Sequence, residues 1–461
     1  MPKKKEKTLE EKLQEALVPE NQWPYILPEN WCWTRLGKIT NVVGGGTPSS
    51  SKKEYYDNGT IPWLSPADLS GYSDIYISRG QKNITELGLS KSSARLMPKD
   101  TVLLSSRAPI GYVAIANNAI STNQGFKNFL PSDAFYSRFL YWYLKSSKSL
   151  LESYASGTTF LELSGSKASM VEFPLPPLPE QKRIVHRIES LFAKLNEAKE
   201  KIQQVLDGAE MRKAAILHKA FTGELTKNWR KENGISEDSW KLKKIGDIFN
   251  LFSGKGFKAS EYTTNGIKLL RISNVSYGSF DWEDTKYLPY EYKEIEKKLL
   301  LRENDILIAL NRPITNGKLK ICLIDNNEEY ILYQRVGCMR CKEDVLLNSK
   351  YVFYAFNDYE FLRIFSDKLQ GSDQPYINLP ELKSLLIPMC TIKEQSEIVS
   401  KLETILKLEN YIANTGTSLL SRIDTMKKSI LAKAFRGELG TNNPTEGSAL
   451  NLLNEVLQDK F

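Results

Sequence analysis

Apolar residues recur at alternating intervals of four and three through Ile184, Ile188, Leu191, Leu195, Ala198, Ile202, Val205 and Ala209. That spacing predicts a helix with one narrow apolar seam. A second seam runs through Ile398, Leu402, Ile405, Ile412, Leu419, Ile423, Met426 and Ile430, with Glu409 and Gly416 interrupting it mid-way. The two stretches are copies of one another. Glu180-Gln181 with Ile184-Val185 answers Glu394-Gln395 with Ile398-Val399, Glu189 answers Glu403, and Lys219-Ala220-Phe221-Thr222-Gly223-Glu224-Leu225 answers Lys433-Ala434-Phe435-Arg436-Gly437-Glu438-Leu439, all at one constant separation. Two helices of equal length can bury such seams against each other, each deeply buried aliphatic side chain contributing about 1 kcal/mol. The residues expected to pair are Ile184, Ile188, Leu191, Leu195 and Ile202 on the first helix, and Ile398, Leu402, Ile405, Ile412, Leu419, Ile423 and Ile430 on the second. The alternative is that each seam packs on its own globular neighbour.

Ahead of each helix the pattern changes to short strand-like runs separated by turns. Leu9 to Leu17 reads as a short polar helix ending before Pro19. Gly44-Gly45-Gly46-Thr47-Pro48-Ser49 demands a loop, Asn58-Gly59 a turn feeding the strand Ile61 to Leu64, and Thr101 to Ser105 a strand running to Arg107-Ala108-Pro109-Ile110. Ser137 to Leu151 has the spacing of an amphipathic helix. The second half repeats this faintly: Trp240, Ile245 and Gly246 answer Trp31, Leu36 and Gly37, Arg312-Pro313-Ile314 answers Arg107 to Ile110, Gln334 answers Gln124, and a helix from Ser349 to Phe365 answers that from Ser137. The segments are therefore 1–22 (N-terminal helical), 23–178 (first globular domain), 179–226 (first long helix), 227–235 (linker), 236–392 (second globular domain), 393–440 (second long helix) and 441–461 (tail). Between 30 and 40 helical residues would hold two unlike surfaces roughly 45 to 60 Å apart, on the order of one and a half turns of duplex DNA.

Composition adds boundaries to this picture. With 41% hydrophobic and 26% charged residues the chain is an ordinary globular one, and its length calls for more than one core. No apolar run is long enough to span a bilayer, and Pro2-Lys3-Lys4-Lys5 leads into Glu-rich sequence in place of a secretory signal, so a cytoplasmic location is expected. A net charge of +8 fits a polyanion-binding protein. Five cysteines make no disulfide framework, and Cys338-Met339-Arg340-Cys341 lacks the two further ligands a zinc site needs.

One set of motifs goes further than pattern. The opening Leu27-Pro28-Glu29-Asn30-Trp31, the Gly45-to-Ser49 loop, the run Pro176-Pro177-Leu178-Pro179-Glu180-Gln181 and the two Lys-Ala-Phe-x-Gly-Glu-Leu endings, in this order and duplicated, resemble the specificity subunit of type I restriction-modification enzymes. The resemblance covers nearly the whole chain. It implies a mixed α/β (α+β) fold with two globular target-recognition domains separated by two long antiparallel helices forming a coiled coil, a pseudo-two-fold internal repeat. It implies a non-catalytic subunit that reads a bipartite, asymmetric sequence in double-stranded DNA. Two methyltransferase subunits and two restriction/translocase subunits would be its partners, with S-adenosylmethionine, ATP and magnesium bound by them and none by this chain. The second domain departs from the pattern, carrying Phe252-Ser253-Gly254-Lys255-Gly256-Phe257 where the first has its Gly-Gly-Thr-Pro loop.

Motifs for chemistry in the chain itself are missing or weak. There is no Asn/Asp-Pro-Pro-aromatic tetrapeptide for adenine methylation and no phosphate-binding Gly-x-x-x-x-Gly-Lys-Ser/Thr loop. Asp281 with Glu291-Tyr292-Lys293 has the residue order of metal-dependent nucleases, but it lies in a charged run that reads as solvated helix. His186 and His218 have no recognisable catalytic neighbours. Candidate DNA contacts, chosen because Arg reads guanine, Asn or Gln reads adenine and Lys holds phosphate, are Lys52, Lys53, Arg107, Gln124 and Lys127 in the first domain. In the second they are Lys255, Lys258, Asn311, Arg312, Lys318, Lys320 and Arg335. Ser156-Gly157-Thr158-Thr159 and Gly371-Ser372-Asp373-Gln374 are further polar loops at equivalent places. The competing readings are a methyltransferase-nuclease fused to its own recognition domains and a two-headed protein-interaction scaffold.

Overall fold

The computed structural model describes residues 7–157 and 161–459, so Pro2 to Lys5, Thr158 and Thr159 lie outside the described residues. The chain separates into two compact units, one of Met1–Lys201 with Leu419–Phe461, the other of Ile202–Ser418.

The first unit opens with the helix Leu9–Ala16. Thr8 and Glu11 close its N-terminus reciprocally, the Glu11 amide donating to Thr8 Oγ1 at 3.2 Å and the Thr8 amide to the Glu11 carboxylate at 2.8 Å. The tail contributes a helix, Ala449–Asp459, that lies on Leu9–Ala16 and buries Leu453, Val456 and Leu457 while Leu450 stays exposed. Both pack on the first domain. Cys32–Arg35 pairs antiparallel with Glu172–Leu175. A five-stranded sheet has the spatial order Val42–Gly44, Phe126–Phe129, Val102–Ser106, Ile110–Ala116, Tyr76–Ile77, and a four-stranded sheet the order Lys82–Ile84, Ile61–Leu64, Ile120–Thr122, Leu96–Met97. Phe129, Phe139, Leu140, Tyr143 and Phe173 fill the core. The helix expected over Ser137 to Leu151 is two, Ser137–Ser146 and Lys148–Tyr154. The hydroxyls of Ser146 and Ser147 both donate to the Tyr143 carbonyl, at 2.8 and 2.7 Å, drawing on an acceptor that a continuing helix would use.

The second unit repeats the plan. Lys241–Lys244 pairs antiparallel with Leu386–Met389, a four-stranded sheet runs Phe249–Ser253, Val336–Cys341, Ile306–Ala309, Ile321–Leu323, and a three-stranded one Lys286–Leu288, Ile267–Leu270, Tyr330–Leu332. Here too the expected single helix is two, Ser349–Ala355 and Tyr359–Asp367, the second capped by Asp358, whose carboxylate accepts from the Glu360 amide at 3.2 Å. The linker 227–235 contains the helix Lys227–Glu232.

The first long helix is interrupted, running Leu178–Asp207 and, beyond Gly208, Ala209–Phe221. The second runs unbroken over Ile392–Phe435. Within each unit their segments are antiparallel. In the second unit a Cβ on Gly416 would lie 2.9 Å from Leu206 Cδ2 and 3.5 Å from Ile202 Cγ2, while Arg212, further along the first helix, binds Glu409, further back on the second, through two hydrogen bonds of 2.9 Å. In the first unit Lys427 donates to Asn196 at 2.6 Å and lies 5.5 Å over the Phe192 ring, and Thr441 donates to Glu180 at 2.6 Å. The two residues that interrupt the apolar spacing thus sit inside the seam: Gly416 is buried because it admits Leu206, and Glu409 because Arg212 neutralises it.

The seam itself differs from its expected course in three ways. Ile184 and Ile188, like Ile398 and Leu402, are buried in the cores of the domains that precede them. Leu191, Leu195, Ile202, Ile405, Ile412 and Ile430 are half-buried and Ile423 is buried. Val205, Leu419 and Met426 are exposed. The spacing drifts where Gly208 ends the first helix segment, so Leu206 faces Gly416 in place of Val205.

Candidate nucleic-acid interface

In the first domain four loops meet at one end of the sheets. The Gly45 amide donates to the Phe126 carbonyl at 3.4 Å and the Gly46 amide to Thr122 at 2.8 Å. A Cβ on Gly45 would lie 2.0 Å from the Asn123 oxygen, so close backbone approach requires glycine there. The Ser106 amide donates to the Gly125 carbonyl at 2.7 Å, the Leu163 amide to Ser106 at 2.9 Å, and Arg107 forms a β-bridge with Glu162. These bonds tie the loops after Gly44, Ser106, Thr122 and Tyr154 into one junction. On it Thr47 bonds Gln124, and Arg107 lies 3.9 Å from the Glu162 carboxylate. Lys127 points inward from its strand, 3.2 Å from Ser106 Oγ and 3.7 Å from Glu162, and burial holds its ammonium below the usual lysine range against the pull of that carboxylate. Lys127 is therefore a buried strand residue and not the exposed loop lysine expected.

The second domain builds the same junction from other residues. A Cβ on Gly254 would lie 2.1 Å from the Leu332 carbonyl oxygen, so Gly254 occupies the place of Gly45 although the surrounding motif differs. The Gln334 amide donates to Lys255 at 3.1 Å, the Leu310 amide to Arg335 at 2.9 Å, the Ile377 amide to Leu310 at 2.9 Å and the Arg312 amide to Pro375 at 2.6 Å, while Asn311 forms a β-bridge with Tyr376. Two of these bonds reproduce Ser106-to-Gly125 and Leu163-to-Ser106. Leu310 thus stands for Ser106, Asn311 for Arg107, Arg312 for Ala108, Arg335 for Gly125 and Tyr376 for Glu162. The expectation that Arg312 answers Arg107 is corrected by one residue. Pro313 aligns with Pro109, and the residue before each proline has left-handed backbone, φ 46° at Arg312 and 47° at Ala108.

The remaining candidates have different surroundings. Arg312 and Arg335 are exposed, and among the described residues neither enters an ion pair. Lys255 is paired with Glu296 and lies over the Phe257 ring. Lys258 is exposed at the start of a short turn, its amide donating to Glu261. Lys318 lies 3.8 Å from Glu210 on the long helix, and Lys320 is half-buried. Lys52 lies over Tyr55, 3.2 Å from its hydroxyl. Lys53 lines a cleft of about 510 Å³ with Thr47, Ser50, Tyr56, Trp63 and Lys82. Trp63 and Tyr56 hold the glycine loop there, donating to the Gly46 carbonyl at 2.9 Å and to that of Pro48 at 2.6 Å. Lys82, absent from the sequence-based candidates, faces Trp63 across the sheet as Lys286 faces Leu269 in the second domain. Lys286 differs in being 2.9 Å from Asp284, whose carboxyl the flanking Arg271 and Lys286 hold down at about 2.

A second feature escaped sequence reasoning although its motif was visible. The repeated Glu-Gln pair is a buried lock at the start of each long helix. Gln181 accepts from the Tyr136 amide at 2.8 Å and donates to the carbonyls of Ala134 and Pro176; Gln395 accepts from the Asn348 amide at 3.0 Å and donates to Cys390. Glu394 accepts from Thr226, Arg230 and Trp240, whereas Glu180 accepts from Thr441 and Arg183. Each lock holds the turn that follows the end of the opposite helix.

The weak chemical motifs do not assemble. Cys338 and Cys341 lie three apart on one strand and so point to opposite faces; Cys338 is buried and burial raises its thiol. Asp281 accepts from the Glu283 amide and Lys293 pairs with Glu329, so two members of the nuclease-like triplet are engaged with partners outside it. No cluster of metal-ligating side chains and no helix long and apolar enough to cross a membrane occurs among the described residues.

The model of the type I restriction modification DNA specificity domain matches the chain twice, over residues 28–207 and 237–417. The chain belongs to the type I restriction-modification specificity family. Among relatives of this specificity subunit, the MjaIX specificity subunit of Methanocaldococcus jannaschii is 30% identical over 90% of this chain and 94% of its own. The EcoKI specificity subunit of Escherichia coli K12 is 26% identical over 94% and 96%. The HsdS subunit from Thermoanaerobacter tengcongensis has the same fold, with a TM-score of 0.65 at 18% identity over 90% of this chain and 99% of that one. Specificity subunits are non-catalytic DNA-recognition chains, distinct from the methyltransferase and nuclease chains of their systems.

Proposed function

We propose that this specificity subunit reads a bipartite, asymmetric target in double-stranded DNA, each domain contacting one half through its four-loop junction. The observation that carries this reading is the pair of junctions: the same backbone hydrogen bonds, Ser106 to Gly125 and Leu310 to Arg335, support different side chains in the two domains. A shared scaffold with unlike side chains is what two different half-sites call for. The long helices and their locks would fix the separation of the halves and dock two methyltransferase subunits, with two restriction/translocase subunits joining them. Those partners would bind S-adenosylmethionine, ATP and magnesium, and the complex would work in the cytoplasm, where the DNA is. The test is to assemble the chain with its methyltransferase partner and map the methylated adenines. A single two-part motif with a fixed gap is expected, and methylation with no sequence preference would overturn the reading.

A further inference from the structure

The two junctions share their backbone and share a glutamine, Gln124 in one and Gln334 in the other, so neither explains why the domains should read different bases. Of the positions at which they differ, two give the second domain a guanidinium where the first has no base-reading side chain. Where the first domain has Ala108, the second has Arg312; where the first has Gly125, the second has Arg335. Both arginines have left-handed backbone, φ 46° and 67°, a conformation ordinarily left to glycine or asparagine. Both backbones are pinned, Arg312 donating to Pro375 and Arg335 accepting from Leu310, two residues before Arg312. The two side chains therefore leave two neighbouring loops that are hydrogen-bonded to each other. Both are exposed and have no carboxylate partner among the described residues, unlike Arg271 or Arg340, which are bonded to Asp284 and Asp305. At Gly125 an arginine has no room, since even a Cβ would lie 2.9 Å from Pro66.

A guanidinium left uncommitted at the end of a rigid loop presents two parallel N–H donors, which match the O6 and N7 acceptors of guanine in the major groove. We propose that Arg312 and Arg335 read guanine in the half-site bound by the second domain, and that the first domain makes no equivalent contact. The inference rests on the proposed DNA-recognition function and adds the base and the residues to it.

The experiment uses the full chain assembled with its methyltransferase partner, the wild-type target defined by methylation mapping, and competition binding against duplexes changed one base pair at a time. Arg312→Ala and Arg335→Gly install the first domain's residues, and the glycine suits the left-handed backbone. Each is expected to lose discrimination on the order of 10- to 100-fold at one or two G·C pairs, all in one half of the target, with the other half read as before. Arg312→Lys and Arg335→Lys, which keep the charge but lose the fork, are expected to lose the same discrimination while retaining most of the overall affinity. Uniform weakening across all sequences with a shallower salt dependence would mark phosphate contacts and overturn the proposal. So would unchanged preference, changes in both halves, or a target with no G·C pair in the affected half. A wild-type complex with no sequence preference at all would instead remove the DNA-recognition reading itself.

Discussion

Gln181 and Gln395 are amides enclosed in protein, and each is satisfied at both ends by backbone of the domain it follows. Gln395→Ala would leave the Asn348 amide and the Cys390 carbonyl unpaired where water cannot replace the lost partner, at a cost of about 1–3 kcal/mol. A lowered unfolding temperature of the second domain is expected, with hydrogen exchange rising at Asn348; an unchanged temperature would count against the lock. The sequence displayed this pair clearly, as the start of a perfect repeat, but repetition alone names no partner. Tyr136 and Asn348, the amides that Gln181 and Gln395 hold, sit on loops far from the glutamines in sequence. The same limit explains the slip at Arg312. Two short segments each contained one arginine and one proline, and only the backbone, left-handed before each proline, decides which of the two to align.

At the scale of elements, the 4-3 spacing revealed both long helices and their pairing, because a seam needs a counterpart and the two had equal lengths, while their antiparallel direction came only with the family resemblance. It did not reveal that the first two turns of each helix pack into a domain core, since Ile184 and Ile398 look the same whether covered by a helix or by a sheet. Nor did it give meaning to the interruptions. Glu409 is an interruption only until Arg212 is placed beside it. Hydrogen bonding to Arg212 holds the Glu409 carboxyl below its ordinary value, so the pair's contribution to stability is full above the unfolded-state carboxylate pKa and is lost as the pH falls through the lower folded value. Glu409→Gln is therefore expected to unfold at a lower temperature than wild type at neutral pH, with the gap closing under acid conditions. A gap that persists or widens on acidification would contradict the assignment.

For the whole molecule, the duplication and the family resemblance made the two-domain plan legible, and the fold of each domain matched it. The surroundings of the candidate contacts were less legible, because a lysine looks alike in sequence whether it is exposed like Lys53, tucked in on a strand like Lys127, or neutralised like Lys255. The cleft beside the glycine loop places Lys53 and Lys82 together with Asp57, and among the described residues no carboxylate is bonded to either lysine, whereas Lys286, the counterpart of Lys82 in the second domain, is held by Asp284. The double variant Lys53→Gln, Lys82→Gln is expected to weaken binding to all duplexes alike and to reduce the slope of log affinity against log salt by about 1 to 2. A selective loss on particular sequences, or an unchanged slope, would show that this cleft does not grip the backbone.

Phe221, at the end of the first long helix, packs edge-on against Tyr351, and Phe435, at the end of the second, packs against Phe139 and Tyr143. The helix that completes the second domain is thus translated before that domain, and the helix that completes the first is translated long after it. A ribosome making this chain delivers an aromatic plug in advance to the later domain, while the sides of Phe139 and Tyr143 that face Phe435 wait until the whole of that later domain has been made.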